Sequence, residues 1–296
     1  MSSERAYRLK PGEPLPEGIV AIAHGRIDHA ISELRGESDS GPEKAVHEAR
    51  KDLKKLRALL RMARAELGAE TFRRENACFR DAGRELAGVR DDDVLLETLK
   101  ALDLPAGMKW ELRKLVQAQR GADGDNGRAK AAAGVVAMLR EARGRADGWP
   151  FERHSFDALR DGLARTYRRG RRDFRAAQAE PTVESLHEWR KRAKELWYHH
   201  TLLRRLWPPV MQAVGDEAHE LANRLGDDHD LAMLADWVSV HAEGDPEFVE
   251  VVERRRSELQ SEAFTLGERL YADKPSAYVR RLERLWKASR ASVRAP

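Results

Sequence analysis

The segment 43–64, EKAVHEARKDLKKLRALLRMAR, sorts two chemistries onto two sides of one helix. Val46, Ala49, Leu53, Leu56, Leu60 and Ala63 recur at three- and four-residue steps, which places them on one stripe of a helix with 3.6 residues per turn. Such a stripe has to face a core. His47, Arg50, Lys51, Lys54 and Arg61 fall together on another side, within about 100° of one another, and Arg57 adds to the basic surface. One helix thus carries a buried seam and a cationic rail.

The pattern returns 140 positions later, where His187, Arg190, Lys191 and Lys194 repeat the spacing of His47, Arg50, Lys51 and Lys54. Leu186, Trp189, Ala193 and Leu196 take the places of Val46, Ala49, Leu53 and Leu56, so seam and rail recur together. A second echo sets Leu86-Ala-Gly-Val-Arg90-Asp91 against Leu225-Gly-Asp-Asp-His229-Asp230. Two landmarks in register predict an internal duplication. The expected layout is an extended segment over 1–16, with Pro11, Pro14 and Pro16, followed by two similar helical bundles over 17–148 and 149–296.

No run alternates as a strand would, aromatic residues are only 6 %, and 41 % apolar residues suffice for cores. The fold class is therefore all-α: two pseudo-symmetric helical bundles. Glycine and proline place expected helix ends at Gly36, Gly68, Pro105, Trp149-Pro150, Pro208-Pro209 and Gly244-Asp-Pro246, with a loop at Gly121 to Gly127. A further break is expected between Leu225 and Asp230, with Asp91 and Asp230 holding helix starts. The single cysteine, Cys78, excludes an internal disulfide and fits a reducing compartment. The start MSSERAYRLK lacks an apolar signal region, and no stretch approaches the roughly 18 apolar residues of a membrane span. A cytoplasmic protein without a membrane partner is expected.

The net charge is only +4, from 54 Lys+Arg against 50 Asp+Glu, so any ionic function depends on segregation rather than bulk charge. Further basic residues do align: Arg165, Arg168, Arg169 and Arg172 stand at i, i+3, i+4 and i+7, and Arg73, Arg80 and Arg84 share a face. Cations one helical turn apart, about 5–6 Å between Cβ atoms, repel unless a polyanion lies between them. A solvated face explains one such stripe, but rails repeated across a duplication point to a polyanion held by many charges, with arginine forks adding paired hydrogen bonds to phosphate oxygens. His47 and His187 lie on the rails, where protonation beside phosphate would add a cation. No nucleophile–base pair, glycine-rich phosphate loop or complete metal set accompanies the cations, so no catalytic residue, metal or cofactor is expected.

His47, Arg50, Lys51 and Lys54 with their copies, together with Arg90-Asp91 followed by Val94-Leu95, resemble the CHAD domain, the conserved-histidine α-helical domain. The resemblance spans roughly 17 to 289. It implies a pseudo-symmetric pair of helical bundles whose central basic cavity binds inorganic polyphosphate, in some members at polyphosphate granules. His47, Arg50, Lys51, Lys54, His187, Arg190, Lys191 and Lys194 would line that cavity, with Arg57, Arg61, Arg80, Arg84, Arg165, Arg168, Arg169 and Arg172 extending it. Two departures matter. The first-half counterparts of Arg165, Arg168, Arg169 and Arg172 are Gly25, Asp28, His29 and Ser32, so the lining is lopsided. His229 stands where the first copy has Arg90, which makes a cation there pH-dependent.

Other readings are weaker. Glu184-x-x-His187 has the spacing of di-iron carboxylate bundles, but the first copy places Lys44 where the carboxylate would be. His229-Asp230 evokes metal-dependent phosphohydrolases of the HD type, yet Arg90 cannot ligate a metal. Nucleic-acid binding is the stronger rival, since basic helices meet phosphates of any kind. However, no helix-turn-helix or zinc-finger pattern is present, and Trp189 and Trp197 lie on or near the apolar stripe rather than among the cations.

Overall fold

The computed structural model describes residues 7–39, 41–86, 91–118, 124–242 and 245–294. Among these the chain is all-α, with eleven α-helices and no strand. They are α1 (Leu15–Leu34), α2 (Pro42–Met62), α3 (Arg64–Glu85), α4 (Asp91–Ala101), α5 (Ala106–Ala118), α6 (Gly124–Ala146), α7 (Asp157–Ala179), α8 (Val183–Leu202), α9 (Pro208–His241), α10 (Pro246–Leu270) and α11 (Pro275–Arg294). Proline sits in the first turn of α1, α2, α9 and α10, where its missing N–H costs nothing. Thr182 and Asp245 cap α8 and α10 by accepting the backbone N–H groups of Ser185 and Glu247.

The helices close two rings. In the first, α1 packs on α2, α2 on α3, α3 on α6, and α6 returns to α1. In the second, α7 packs on α8, α8 on α9, α9 on α10, and α10 returns to α7. The rings share one apolar core, and the seam residues Ala49, Leu53, Leu56, Leu60, Leu186, Trp189, Ala193 and Leu196 are all buried in it. The rail helices α2 and α8 touch, and α7 packs on both α2 and α3. A smaller core joins Leu95 and Leu99 of α4 and Leu112 and Val116 of α5 to Leu231, Leu234 and Val238 of α9 and Phe248 and Val252 of α10. Helices from the first half therefore complete a core with helices from the second.

The closest approach between the rings needs a glycine. A Cβ on Gly162 of α7 would lie 2.0 Å from the carbonyl oxygen of Met62 and 2.6 Å from that of Arg61, the last turn of α2. Near the chain junction, the buried Glu66 accepts the backbone N–H groups of Glu152 (3.1 Å) and Arg153 (2.8 Å), fixing the link between rings.

Several expected boundaries shift. The helix expected to run to Leu67 stops at Met62, and Gly68 instead makes a kink inside α3 with φ of +70°, a conformation open to glycine. No break follows Leu225: α9 runs unbroken to His241, so Asp230 lies inside a helix and caps nothing. Its counterpart, Asp91, begins α4, whereas Arg90, the counterpart of His229, lies outside the described residues, as do 121–123 of the expected loop; Gly124 already begins α6. Of the expected extended start, 1–6 lie outside the described residues, the Glu13 N–H donates to the Lys10 carbonyl at 3.1 Å in a turn, and α1 already begins at Leu15. Tyr7 is fully buried, donating to the Lys55 carbonyl at 2.8 Å, and the Leu9 N–H donates to the Leu202 carbonyl at 2.9 Å. Among the described residues, no helix is long and apolar enough to cross a membrane.

Two predictions follow from this packing. Gly162→Ala should destabilise the fold by at least about 2 kcal/mol, because a methyl group cannot enter between two backbones. Gly25→Ala, with nothing within 4 Å of its added carbon, should gain about 0.5–1 kcal/mol in denaturant titrations. The second concerns acid. His199 and His200 are buried neutral, and burial pushes both down to about 4. The unfolded chain takes up these protons first, so stability should be full above about pH 6.5 and fall as pH drops toward 4. Thermal melting across that range checks the direction.

Candidate functional site

The rails meet where α2 touches α8. Lys194 of α8 is held down to about 7, first by burial and then by the charges of Arg190, Lys54 and Arg50, with Asp230 opposing. Cations from both sequence copies therefore act on one ammonium group. Among the described residues neither Lys194 nor Arg190 has a carboxylate at ion-pair distance, and the Arg190 Nε is buried without a partner. The Arg190 guanidinium lies flat against Gly226 of α9, where an added Cβ would come within 2.7 Å of Nη2. Gly226 is thus a packing surface for a cation and not a helix breaker.

Beside Arg190, the half-buried rings of His187 and His229 lie with centroids 4.5 Å apart. Burial, Lys191 and the neighbouring His229 push His187 down to about 4; burial and then Arg190 lower His229. Trp197 stacks on His219 at 3.8 Å, and His219 is lowered by burial and then by Lys194, with Lys51 adding a smaller push.

A second cationic group continues along α2. Burial, followed by Arg61, pushes Arg57 down to about 10, with Arg80 of α3 and Arg192 of α8 also acting on it. Arg64 is lowered by burial and then by Arg165 and Arg169 of α7. Arg169 is lowered by burial and then by Arg192. One acid organises this group: Glu195, 5 % exposed, pairs with Arg61 at 3.1 Å and Arg192 at 2.8 Å. Arg192 also reaches Asp173 at 3.5 Å. Among the described residues Arg57, Arg64, Arg165, Arg168 and Arg169 have no carboxylate at ion-pair distance.

The sequence-predicted residues thus divide. Arg50, Lys54, Arg190 and Lys194 come together, with His187 beside Arg190; Arg57, Arg61, Arg165 and Arg169 form the adjoining group, with Arg80 acting on it while tied to Asp81 at 2.8 Å. Others are tied to local acids: Lys51 to Glu48 at 2.8 Å, Lys191 to Glu188, Arg172 to Asp173 at 2.7 Å, and Arg84 to Asp81 at 3.6 Å. His47 is half-buried on α2 and acts on Glu48. Arg168 is exposed on α7. His219, Gly226, Arg64 and Arg192 were not singled out in the sequence. Arg64 extends the Arg57, Arg61 spacing and was legible; the other three depend on how α8 and α9 pack.

Fork and ammonium donors, few acids and charges already forced together give this surface the chemistry to hold an anion. A cleft of about 440 Å³ elsewhere, lined by Glu17, His24, Asp147, Trp149 and Phe151, has the opposite balance. Among the described residues, no group of three His, Cys, Asp or Glu side chains could hold a metal ion. A family model described as the CHAD domain matches residues 21–239, which include both rail helices and the stretch of α9 that carries Gly226 and His229. The chain belongs to the CHAD-domain family. No curated protein matches it. Within the CHAD match, each rail histidine acts on the glutamate that follows it, His47 on Glu48 and His187 on Glu188, and His187 also lies against the imidazole of His229.

Glu195 supplies the test of how this CHAD site is held together. Glu195→Ala removes the acid shared by Arg61 and Arg192 and leaves buried charge uncompensated, so a loss of about 3–5 kcal/mol is expected in urea unfolding. Lys51→Ala, at an exposed pair, should change stability by less than about 0.5 kcal/mol in the same assay.

Proposed function

We propose that this chain binds inorganic polyphosphate without cleaving it, laying the polyanion over the basic faces of α2, α7 and α8. The observation that carries the proposal is the convergence of Arg50 and Lys54 with Arg190 and Lys194, two of which lack acidic partners among the described residues. Membership of the CHAD family, known in general for polyphosphate binding, supports the same reading. Burial and mutual repulsion depress Lys194 and Arg57; a chain of phosphates would relieve both by supplying the missing negative charge. The adjoining arginines give the chain a track longer than one short anion could fill.

The proposal treats the two helical rings as copies of one duplicated unit, supported by the recurrence of seam and rail at 140 residues and by the matching ring order. It also places the protein in the cytoplasm at polyphosphate granules, where a binder without turnover would reside; a fluorescent fusion scattered evenly in granule-containing cells would count against that part.

Affinity should increase with chain length, because each further contact along one ligand is intramolecular. It should also fall steeply with salt as condensed counterions are released. Lys54→Ala with Lys194→Ala should weaken binding at least about tenfold and flatten the salt dependence, with little change in melting temperature. Equal affinity for triphosphate and long chains, unchanged binding in the folded double variant, preference for duplex DNA in competition, or phosphate release proportional to protein would each overturn the proposal.

A further inference from the structure

We infer that polyphosphate binding draws a proton onto the adjacent His187–His229 pair, so that the site tightens as the pH falls through the range just below neutrality. This rests on the polyphosphate reading and adds a regulation to it.

The geometry carries the inference. The two rings come from different helices, α8 and α9, and their centroids are 4.5 Å apart. The Nδ1 atoms of both are buried and have no hydrogen-bond partner among the described residues. The groups that face the pair explain why it is neutral in the free protein. On α8 these are Glu188, Arg190 and Lys191; on α9 they are Asp228 and Asp230. Glu188 is engaged by Lys191. Asp228 is engaged from α10 by Arg256 at 3.1 Å and Gln260 at 2.8 Å. Asp230 also faces Lys194, which the α2 cations Arg50 and Lys54 press upon, and Asp227 faces Arg190 and, more weakly, Arg255 of α10. The acids are thus drawn toward other cations, while Arg190 and Lys191 press on the imidazoles.

A polyanion seated on Arg190 and Lys194 reverses that balance. Its charge neutralises the cations that hold the imidazoles neutral, and an ionised ligand oxygen favours the protonated ring. Two imidazolium rings at this separation repel each other, so the pair takes up about one proton rather than two. Linkage then fixes the sign: if the complex binds one more proton than the free protein, affinity rises by up to about tenfold per pH unit of acidification. Lys194, held at about 7, takes up a proton in the same sense but mainly above neutrality, and so is separable from the histidines.

The experiment is titration of the full-length chain with long-chain polyphosphate, whose few terminal groups contribute little titration, between about pH 8 and 5.5. Calorimetry in two buffers of different ionisation enthalpy counts the protons taken up by the unaltered protein. Expected are uptake approaching one proton below pH 7 and a matching rise in affinity, with both the uptake and the slope below pH 7 lost in His187→Gln with His229→Gln. No proton uptake, or an unchanged slope in the folded double variant, overturns the inference and leaves polyphosphate binding standing. Absence of binding at every pH overturns the polyphosphate reading itself.

Discussion

The contact on which the arrangement depends is the passage of Gly162 over the last carbonyls of α2. With no side chain between them, α7 approaches the Arg61 and Met62 backbone more closely than a methyl group would permit. The approach explains why the first and second helical rings share a core instead of forming separate globules. It also decides the electrostatics. At that junction α7 delivers Arg165 and Arg169 next to Arg64, the first residue of α3. Arginines that repel one another are thus gathered where the two rings meet.

Inside the rings, the two halves of the chain bury charge at corresponding positions with opposite signs. In the first, Asp52 of α2 is 1 % exposed and collects Arg26 at 3.1 Å, His29 at 2.6 Å and Lys55 at 3.7 Å. At the corresponding places in α8 stand Arg192 and Glu195, so the order acid-then-base becomes base-then-acid. Arg192 collects Asp173, Glu188 and Glu195. His29, which sits where the second half has Arg169, is raised by its hydrogen bond to Asp52 and so spends its charge internally. The lopsided basic lining follows: first-half cations are drawn inward to Asp52, while Arg165, Arg168 and Arg169 of α7 remain without acids among the described residues.

How much of this could be read from the sequence depended on the range of the interaction. Seam and rail are properties of one helix, set by side-chain spacing, so the burial of Leu53, Leu56, Trp189 and Leu196 was legible without any structure. The break expected after Leu225 was not there, because glycine and aspartate signal a turn only when nothing else uses them. Here Gly226 receives the Arg190 side chain from another helix, and Asp228 is held by Arg256 and Gln260. The sharing of cores between halves was likewise invisible: Leu95 and Leu99 have the apolar spacing of any short helix, and nothing local says that they meet Leu234 and Val238. Among rail residues, spacing alone could not separate Lys194, without an acid partner among the described residues, from Lys191, which pairs with Glu188.

That division of the rails bears on how a site of this kind can exist. Crowded cations oppose folding, and their surface positions offer little ion-pair energy in return. The large shared core makes the arrangement tolerable, since burial of residues such as Trp189, Leu56 and Leu60 contributes about 1.5–3 kcal/mol each. The acids that do appear are placed selectively: Glu195 compensates the arginine pair nearest the core, and none pairs with Lys194 or Arg190 among the described residues. Repulsion is thereby retained around Lys194 and Arg190 and cancelled at Arg61 and Arg192. Because the helices, not a ligand, hold these charges in place, an arriving polyanion need not gather them from solution. Any anion seated there would gain the relief of their repulsion directly, so a fold with a net charge of only +4 still concentrates positive charge where α2, α7 and α8 meet.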